Sequence, residues 1–258
     1  MYPLFELGPL RLSSGGLLLL LAIVVAQSLL VRVARSRGNA TLAEHAERCV
    51  YPALLGAAIG ARLWYGAFSW SLYSQNPGLF VALRVGEFAW PGALLGGALA
   101  GALWCHWRRA DRVELADCAA LALPPAQALA SIGLLLSGEA FGLPTDLPWG
   151  LPLFGTTRHP TQLYFALAAL LSFGVLRRMA SRRPQPGTLM ATYLGMQGLT
   201  LLLIEALRAD SLLLPGGLRA GQVFGLALVL LALLWMRRQA LPAPGAADMP
   251  RAIARDQA

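Results

Sequence analysis

Seven apolar runs, separated by short polar breaks, constrain this chain more than any other feature. They occupy residues 15–31, 50–68, 88–107, 115–136, 161–176, 189–207 and 221–235. A helix that crosses a bilayer needs about 20 mainly apolar residues. Barrel strands would instead alternate apolar and polar residues over roughly ten positions, and these runs do not. The composition agrees: 57% of the 258 residues are hydrophobic, 13% are charged, and the mean hydropathy is +0.57. The expected fold class is therefore an all-α integral membrane protein, a polytopic bundle of about seven transmembrane helices.

Arginines punctuate the runs with a regular bias. Arg32, Arg35, Arg37 and Arg48 follow the first run, and Arg108, Arg109 and Arg112 follow the third. Arg177, Arg178, Arg182 and Arg183 follow the fifth, and Arg237 and Arg238 the seventh. Basic residues collect on the cytoplasmic side, so the odd runs end there. The N-terminus is then outside and the C-terminus inside. Residues 1–240 read as a single transmembrane domain, and 241–258, rich in Ala, Pro and charge, as a disordered cytoplasmic tail. The first run reads as a retained span, because no basic segment precedes it and no small-residue cleavage site follows. The net charge of +8 is explained by membrane sorting, so no nucleic-acid partner is implied. Cys49, Cys105 and Cys118 have neither CxxC spacing nor a histidine pair, which leaves no metal or cofactor set. The segment GALLGGALAG at 92–101 suits close helix packing.

The stretch SGEAFGLPTDLPWGLPLFGTTRHPTQLY at 137–164 joins the fourth and fifth runs on the predicted outer face, and it is polar. Arg11, Arg62, Arg84, Arg158, Arg208 and Arg219 also fall toward that side, against the bias. Arg62 lies inside the second run, where an unpaired cation costs several kcal/mol. Glu87, Glu139, Asp146, Glu205 and Asp210 are the acids of the same side. These charges admit two readings: internal ion pairs that hold the bundle, or a cavity for an anionic head group gripped by guanidinium forks. His159 is the single histidine of the outer side, beside the start of the fifth run. Trp64, Trp90 and Trp149 fit an interfacial belt.

RHPTQLY at 158–164, PTDLPWG at 144–150, Gly138-Glu139, GARL at 60–63 and the set Glu205, Arg208 and Asp210 resemble the bacterial prolipoprotein diacylglyceryl transferase family. Order and spacing agree from about residue 56 to 222. The resemblance implies a multi-pass enzyme of the bacterial cytoplasmic (inner) membrane. It implies a phosphatidylglycerol-like phospholipid as donor and a prolipoprotein signal-peptide region as acceptor, the diacylglyceryl group passing to a lipobox cysteine. His159, Glu139 and Arg208 would then be catalytic. Arg62, Arg158, Glu205, Gln162, Tyr164 and Gly142 would bind substrate.

The chain departs from that family's pattern at several positions. The usual HGG reads Pro91-Gly92-Ala93, and the usual GRxGNFxNGE has Ser131 for its arginine and Leu134 and Ser137 for its asparagines. The tyrosine and arginine of YGxxR fall on Gln197 and Leu201, and an early tyrosine falls on Ser13 or Ser14. Two function classes therefore stand: a transferase working with the remaining residues, and a non-catalytic lipid-binding paralogue.

Overall fold

The structure is a computed structural model. It describes residues 4–7, 10–75, 89–214 and 216–240, without the side chains of 4–12, 72 and 75. Arg84, Glu87, the side chain of Arg11 and the expected tail at 241–258 lie outside the described residues.

Each apolar run falls on a helix: α1 (Ser14–Ser36), α2 (Ala40–Phe68), α4 (Trp90–Trp107), α5 (Arg112–Ser137), α6 (Thr161–Ala180), α7 (Thr188–Ile204) and α8 (Ala220–Ala240). A short helix α3 (Trp70–Gln75) follows α2. Two small antiparallel hairpins, β1 (Leu4–Leu7) with β2 (Leu10–Ser13) and β3 (Leu151–Leu153) with β4 (Thr156–Arg158), are the only paired strands among the described residues. The protein is an all-α integral membrane protein. Among the described residues α1, α5, α6, α8 and the segment Thr188–Leu207 are each long and apolar enough to cross a membrane. Their outward faces are bare leucine and valine, such as Leu19, Leu20 and Val24, each more than half exposed. That surface has no stable partner in water and a good one in acyl chains.

Helix α2 starts ten residues before the second apolar run, replacing the polar link expected at 40–49. The Asn39 side chain caps it by accepting the Leu42 N–H at 3.0 Å. Leu42, Ala43, Ala46 and Cys49 then form a buried stripe, with the Glu44–Arg48 ion pair at 3.0 Å on its exposed side. A four-residue apolar spacing with charges between is an amphipathic helix, which a search for unbroken apolar runs passes over.

The chain forms two compact units, Leu19–Ala126 and Met1–Leu18 together with Gln127–Ala258. In the first, α2 and α4 cross at four glycines. A Cβ built on Gly60 would stand 2.3 Å from the Gly92 carbonyl oxygen, and one on Gly96 2.2 Å from that of Gly56. The backbones touch, as expected where small residues replace a hydrophobic driving force between helices in lipid. Leu30, Ala34, Leu42, Ala46, Cys105, Cys118 and Ala122 belong to this unit's buried core. In the second unit α7 packs on α8 with Gly198 against Gly225, and Ala128, Ala166 and Ala169 join α5 to α6.

Candidate functional site at the outer loop

The 137–164 stretch is a hydrogen-bonded segment rather than an open loop. α5 ends at Ser137, and Gly138 (φ 70°) and Ala140 (φ 54°) both take left-handed backbone conformations. Ala140 is a buried non-glycine residue in a region that carries strain, so its surroundings must hold it there. They do so on both sides of the residue. Its N–H donates to Asp210 Oδ2 at 2.8 Å, and its carbonyl accepts a short hydrogen bond from the Thr161 hydroxyl.

The chain then runs alongside 205–209. The Leu143 N–H donates to the Leu207 carbonyl at 2.8 Å, the Ala209 N–H to the Phe141 carbonyl at 2.9 Å, and Gly142 pairs with Arg208. The hairpin β3–β4 follows, turned by Phe154 (φ 53°) and Gly155 (φ 77°). Two successive positive φ angles make the tight primed turn that suits strand twist. Strand β4 delivers Arg158 and His159, and the His159 N–H closes onto the Leu143 carbonyl at 3.0 Å. Gly142 sits so close to His159 that a Cβ there would lie 2.3 Å from its carbonyl oxygen.

The nine candidate residues fall in two places. Eight of them, Glu139, Gly142, Arg158, His159, Gln162, Tyr164, Glu205 and Arg208, belong to the unit that includes Gln127–Ala258. The hydrogen bonds of 139–162 and 205–210 link six of these: Glu139 with Gln162, Gly142 with Arg158, Arg208 with Glu205. His159 and Tyr164 join through the Leu143 and ring contacts. Arg62 lies in the Leu19–Ala126 unit. It is buried, and its guanidinium stands 5.6 Å from the Tyr73 ring centroid.

The arginines at 158, 208 and 219 differ in the partners that surround them. Arg208 is clasped by two carboxylates: NH1 is 3.1 Å from Glu205 Oε2, and Nε and NH2 are each 3.0 Å from Asp210 Oδ1. Glu205 is only 2% exposed and also accepts from the Ser211 hydroxyl at 2.9 Å. Arg219 donates to the Arg208 carbonyl, so two cations and two carboxylates share one bonded set. Arg158 is different. Its Nε and NH1 donate to the carbonyls of Leu153 (3.2 Å) and Gly142 (3.3 Å), and its guanidinium stands 5.3 Å from the Phe141 ring centroid. No carboxylate pairs with it among the described residues, and its remaining N–H donors are uncommitted.

His159 is half-buried beside it, with Nδ1 3.4 Å from the Tyr164 hydroxyl. That hydroxyl accepts the Trp149 indole N–H at 2.8 Å. With the proton on Nδ1, the ring donates to Tyr164 and leaves the Nε2 lone pair free to take a proton. Glu139 exposes its carboxylate, while its main-chain carbonyl accepts from Gln162 Nε2 at 2.8 Å. Gln162 is wholly buried and its Oε1 has no partner among the described residues.

Asp210, which entered the sequence reading as an outer-side acid and as part of the Glu205, Arg208 and Asp210 set but not among the site residues, holds Arg208 and Ala140 together. At the positions where the resemblance expects an arginine and a tyrosine on α5 and α7, the helices are neutral. Ser131 turns its hydroxyl back to the Gln127 carbonyl at 2.8 Å, and Gln127 Nε2 donates to Gln197 Oε1 at 3.3 Å.

Comparison with known proteins gives a consistent result. The family described as Prolipoprotein diacylglyceryl transferase matches residues 3–238. A protein named phosphatidylglycerol–prolipoprotein diacylglyceryl transferase from Trichormus variabilis is 35% identical, covering 96% of this chain and 94% of its own. One of the same name from Nostoc sp. is 36% identical, covering 95% and 94%. Another from Clostridioides difficile is 38% identical over 65% of this chain and 67% of its own.

Proposed function

Because the chain belongs to the prolipoprotein diacylglyceryl transferase family, we propose that it takes a phosphatidylglycerol-like phospholipid at the outer leaflet of the bacterial cytoplasmic membrane. In this reading it transfers the lipid's diacylglyceryl group to an acceptor thiol, such as a prolipoprotein's lipobox cysteine. One observation carries the reading: among the described residues Arg158 is a half-buried cation with carbonyl partners, no carboxylate and donors to spare. A planar guanidinium in that state suits a phosphate oxygen pair.

The reaction has a clear balance sheet. The acceptor sulfur forms a bond to the terminal glyceryl carbon of the diacylglyceryl group. The bond from that carbon to the phosphate oxygen breaks, and glycerol phosphate leaves with the electron pair. The thiol proton must go to a base, because a free thiol with a pKa of about 8.5 is mostly protonated at neutral pH. His159 Nε2 is the base in this reading, oriented by Tyr164. Arg158 takes the growing charge on phosphate. Glu205 with Asp210 positions Arg208. Gly142 and Gln162 hold the backbone that presents Arg158, and Glu139 stands at its exposed edge.

The second reading, lipid binding without transfer, draws on different observations. Arg208 is matched by its own carboxylates, and no cation stands at positions 131, 134, 197 and 201, which are Ser131, Leu134, Gln197 and Leu201. Complementation of a bacterium depleted of its own transferase separates the two. Transfer predicts rescue by the wild type and loss with either His159→Ala or Arg158→Ala. Rescue that survives His159→Ala ends the case for a histidine base. Absence of rescue, with phosphatidylglycerol binding that depends on Arg158, supports the binding protein.

A further inference from the structure

The arginine-bearing end of α1 has an open groove that none of the chemistry above uses, with Ser28, Arg32, Arg35 and Glu47 exposed along it. Its volume is about 380 Å³, and its lining is Gln27, Ser28, Val31, Arg32 and Arg35 of α1 with Glu47 of α2. All six belong to the Leu19–Ala126 unit. The spacing of the α1 residues puts them on one stripe of the helix. Among the described residues the side chains of Gln27, Ser28, Arg32, Arg35 and Glu47 make no hydrogen bond or ion pair. The nearby Glu44 and Arg48, by contrast, are joined at 3.0 Å. The groove thus holds two cations, one anion and two neutral hydrogen-bonding groups, all uncommitted.

The order of these groups along the helix is informative. Gln27 and Ser28 interrupt the apolar run about one turn, or ~6 Å, before Arg32. Under the positive-inside bias that direction leads into the bilayer. A phospholipid has the same order: ester carbonyls toward the acyl chains, a phosphate above them, and a polar substituent beyond. Glu47 selects among substituents. It would repel an anionic head group and attract an ammonium.

We infer that this groove is a binding site for an amine-bearing zwitterionic phospholipid. Its phosphate lies on Arg32 and Arg35, its ammonium on Glu47 and its ester carbonyls on Gln27 and Ser28. The site takes a different lipid class from that proposed for residues 137–164, and the positive-inside bias puts the Arg32 end of α1 on the cytoplasmic side. Its occupant ties α1 to the start of α2 across the Arg37–Asn39 link.

The test uses the full-length chain in detergent and native mass spectrometry with dioctanoyl phosphatidylethanolamine and dioctanoyl phosphatidylglycerol as probes. Glu47→Gln retains every arginine, so membrane orientation is preserved. It should weaken phosphatidylethanolamine binding about tenfold and leave phosphatidylglycerol binding unchanged or stronger. Arg32→Lys with Arg35→Lys keeps the charge but removes the planar forks, and should weaken phosphatidylethanolamine binding by a similar factor. Soluble O-phosphoethanolamine should fail to displace the lipid at equal concentration. Equal phosphatidylethanolamine binding by Glu47→Gln and wild type overturns the proposal. Displacement by O-phosphoethanolamine at equal concentration also overturns it, since the ligand would then be a soluble phosphoamine.

Discussion

Replacing Arg208 with methionine tests whether the charge set behind the outer loop is as tightly coupled as its geometry implies. The guanidinium joins Glu205, which is 2% exposed, to Asp210 at about 3 Å on each side. Without it, Asp210 keeps the Ala140 N–H and its partial exposure to solvent, but Glu205 has no such exposure. Its carboxylate would keep only the Ser211 hydroxyl at 2.9 Å, with Gly221 packed so close that a Cβ there would lie 2.4 Å from it. Leaving one member of a buried pair costs about 3–5 kcal/mol. For a chain of this size each kcal/mol lowers the melting midpoint by about 2–4 °C, so Arg208→Met should lose roughly 6–20 °C. Glu205→Gln with Arg208→Met removes the stranded charge and should regain at least about half of the loss, a coupling that a cycle of single and double variants measures. The assay is intrinsic-fluorescence melting of the solubilised chain at one fixed scan rate, because unfolding of such proteins is commonly irreversible. A single variant as stable as wild type, or a double variant whose loss equals the sum of the two single losses, would refute the reasoning.

Other perturbations have expected outcomes of their own. Gly142→Ala puts a methyl 2.3 Å from the His159 carbonyl, and should lower complementation about 10²-fold while costing only about 1–3 kcal/mol in stability. Gly96→Val should break the α2–α4 crossing and sharply reduce the yield of folded protein, whereas Gly101→Ala, with no neighbour nearer than 3.7 Å, should match wild type. Periplasmic-reporter fusions test the orientation: phosphatase activity is expected after a fusion near Pro152 and not after one near Asp248.

The helices were legible because length and apolarity are local properties, and each run lies on one of them. Their extensions were not, since 40–49 becomes helical through a cap and an amphipathic stripe rather than through apolarity. The family motifs were legible as strings, but the partners of their charges were not. Nothing in RHPTQLY tells that Arg158 bonds carbonyls, whereas Glu205 and Asp210 stand close enough to Arg208 in the sequence to suggest the acids that clasp it. The bond between the Ala140 N–H and Asp210, which joins segments 70 positions apart, had no local signal. The hairpin at 151–158 was hidden because Phe154 is an unusual residue for a left-handed position, and only Gly155 hinted at the turn.

The two-sided clasp on Ala140 also sets where the chain's length can change. Residues 139–143 are held by α6 through Thr161 and Gln162, and by 205–210 through successive main-chain hydrogen bonds. One inserted residue in either segment would shift every later bond by a position, so both have a fixed length. The hairpin tip is free of that restriction. Nothing lies within 4 Å of where a Gly155 Cβ would be, and Phe154 is 55% exposed. A short epitope placed between Phe154 and Gly155 would lengthen the turn without disturbing the register behind it.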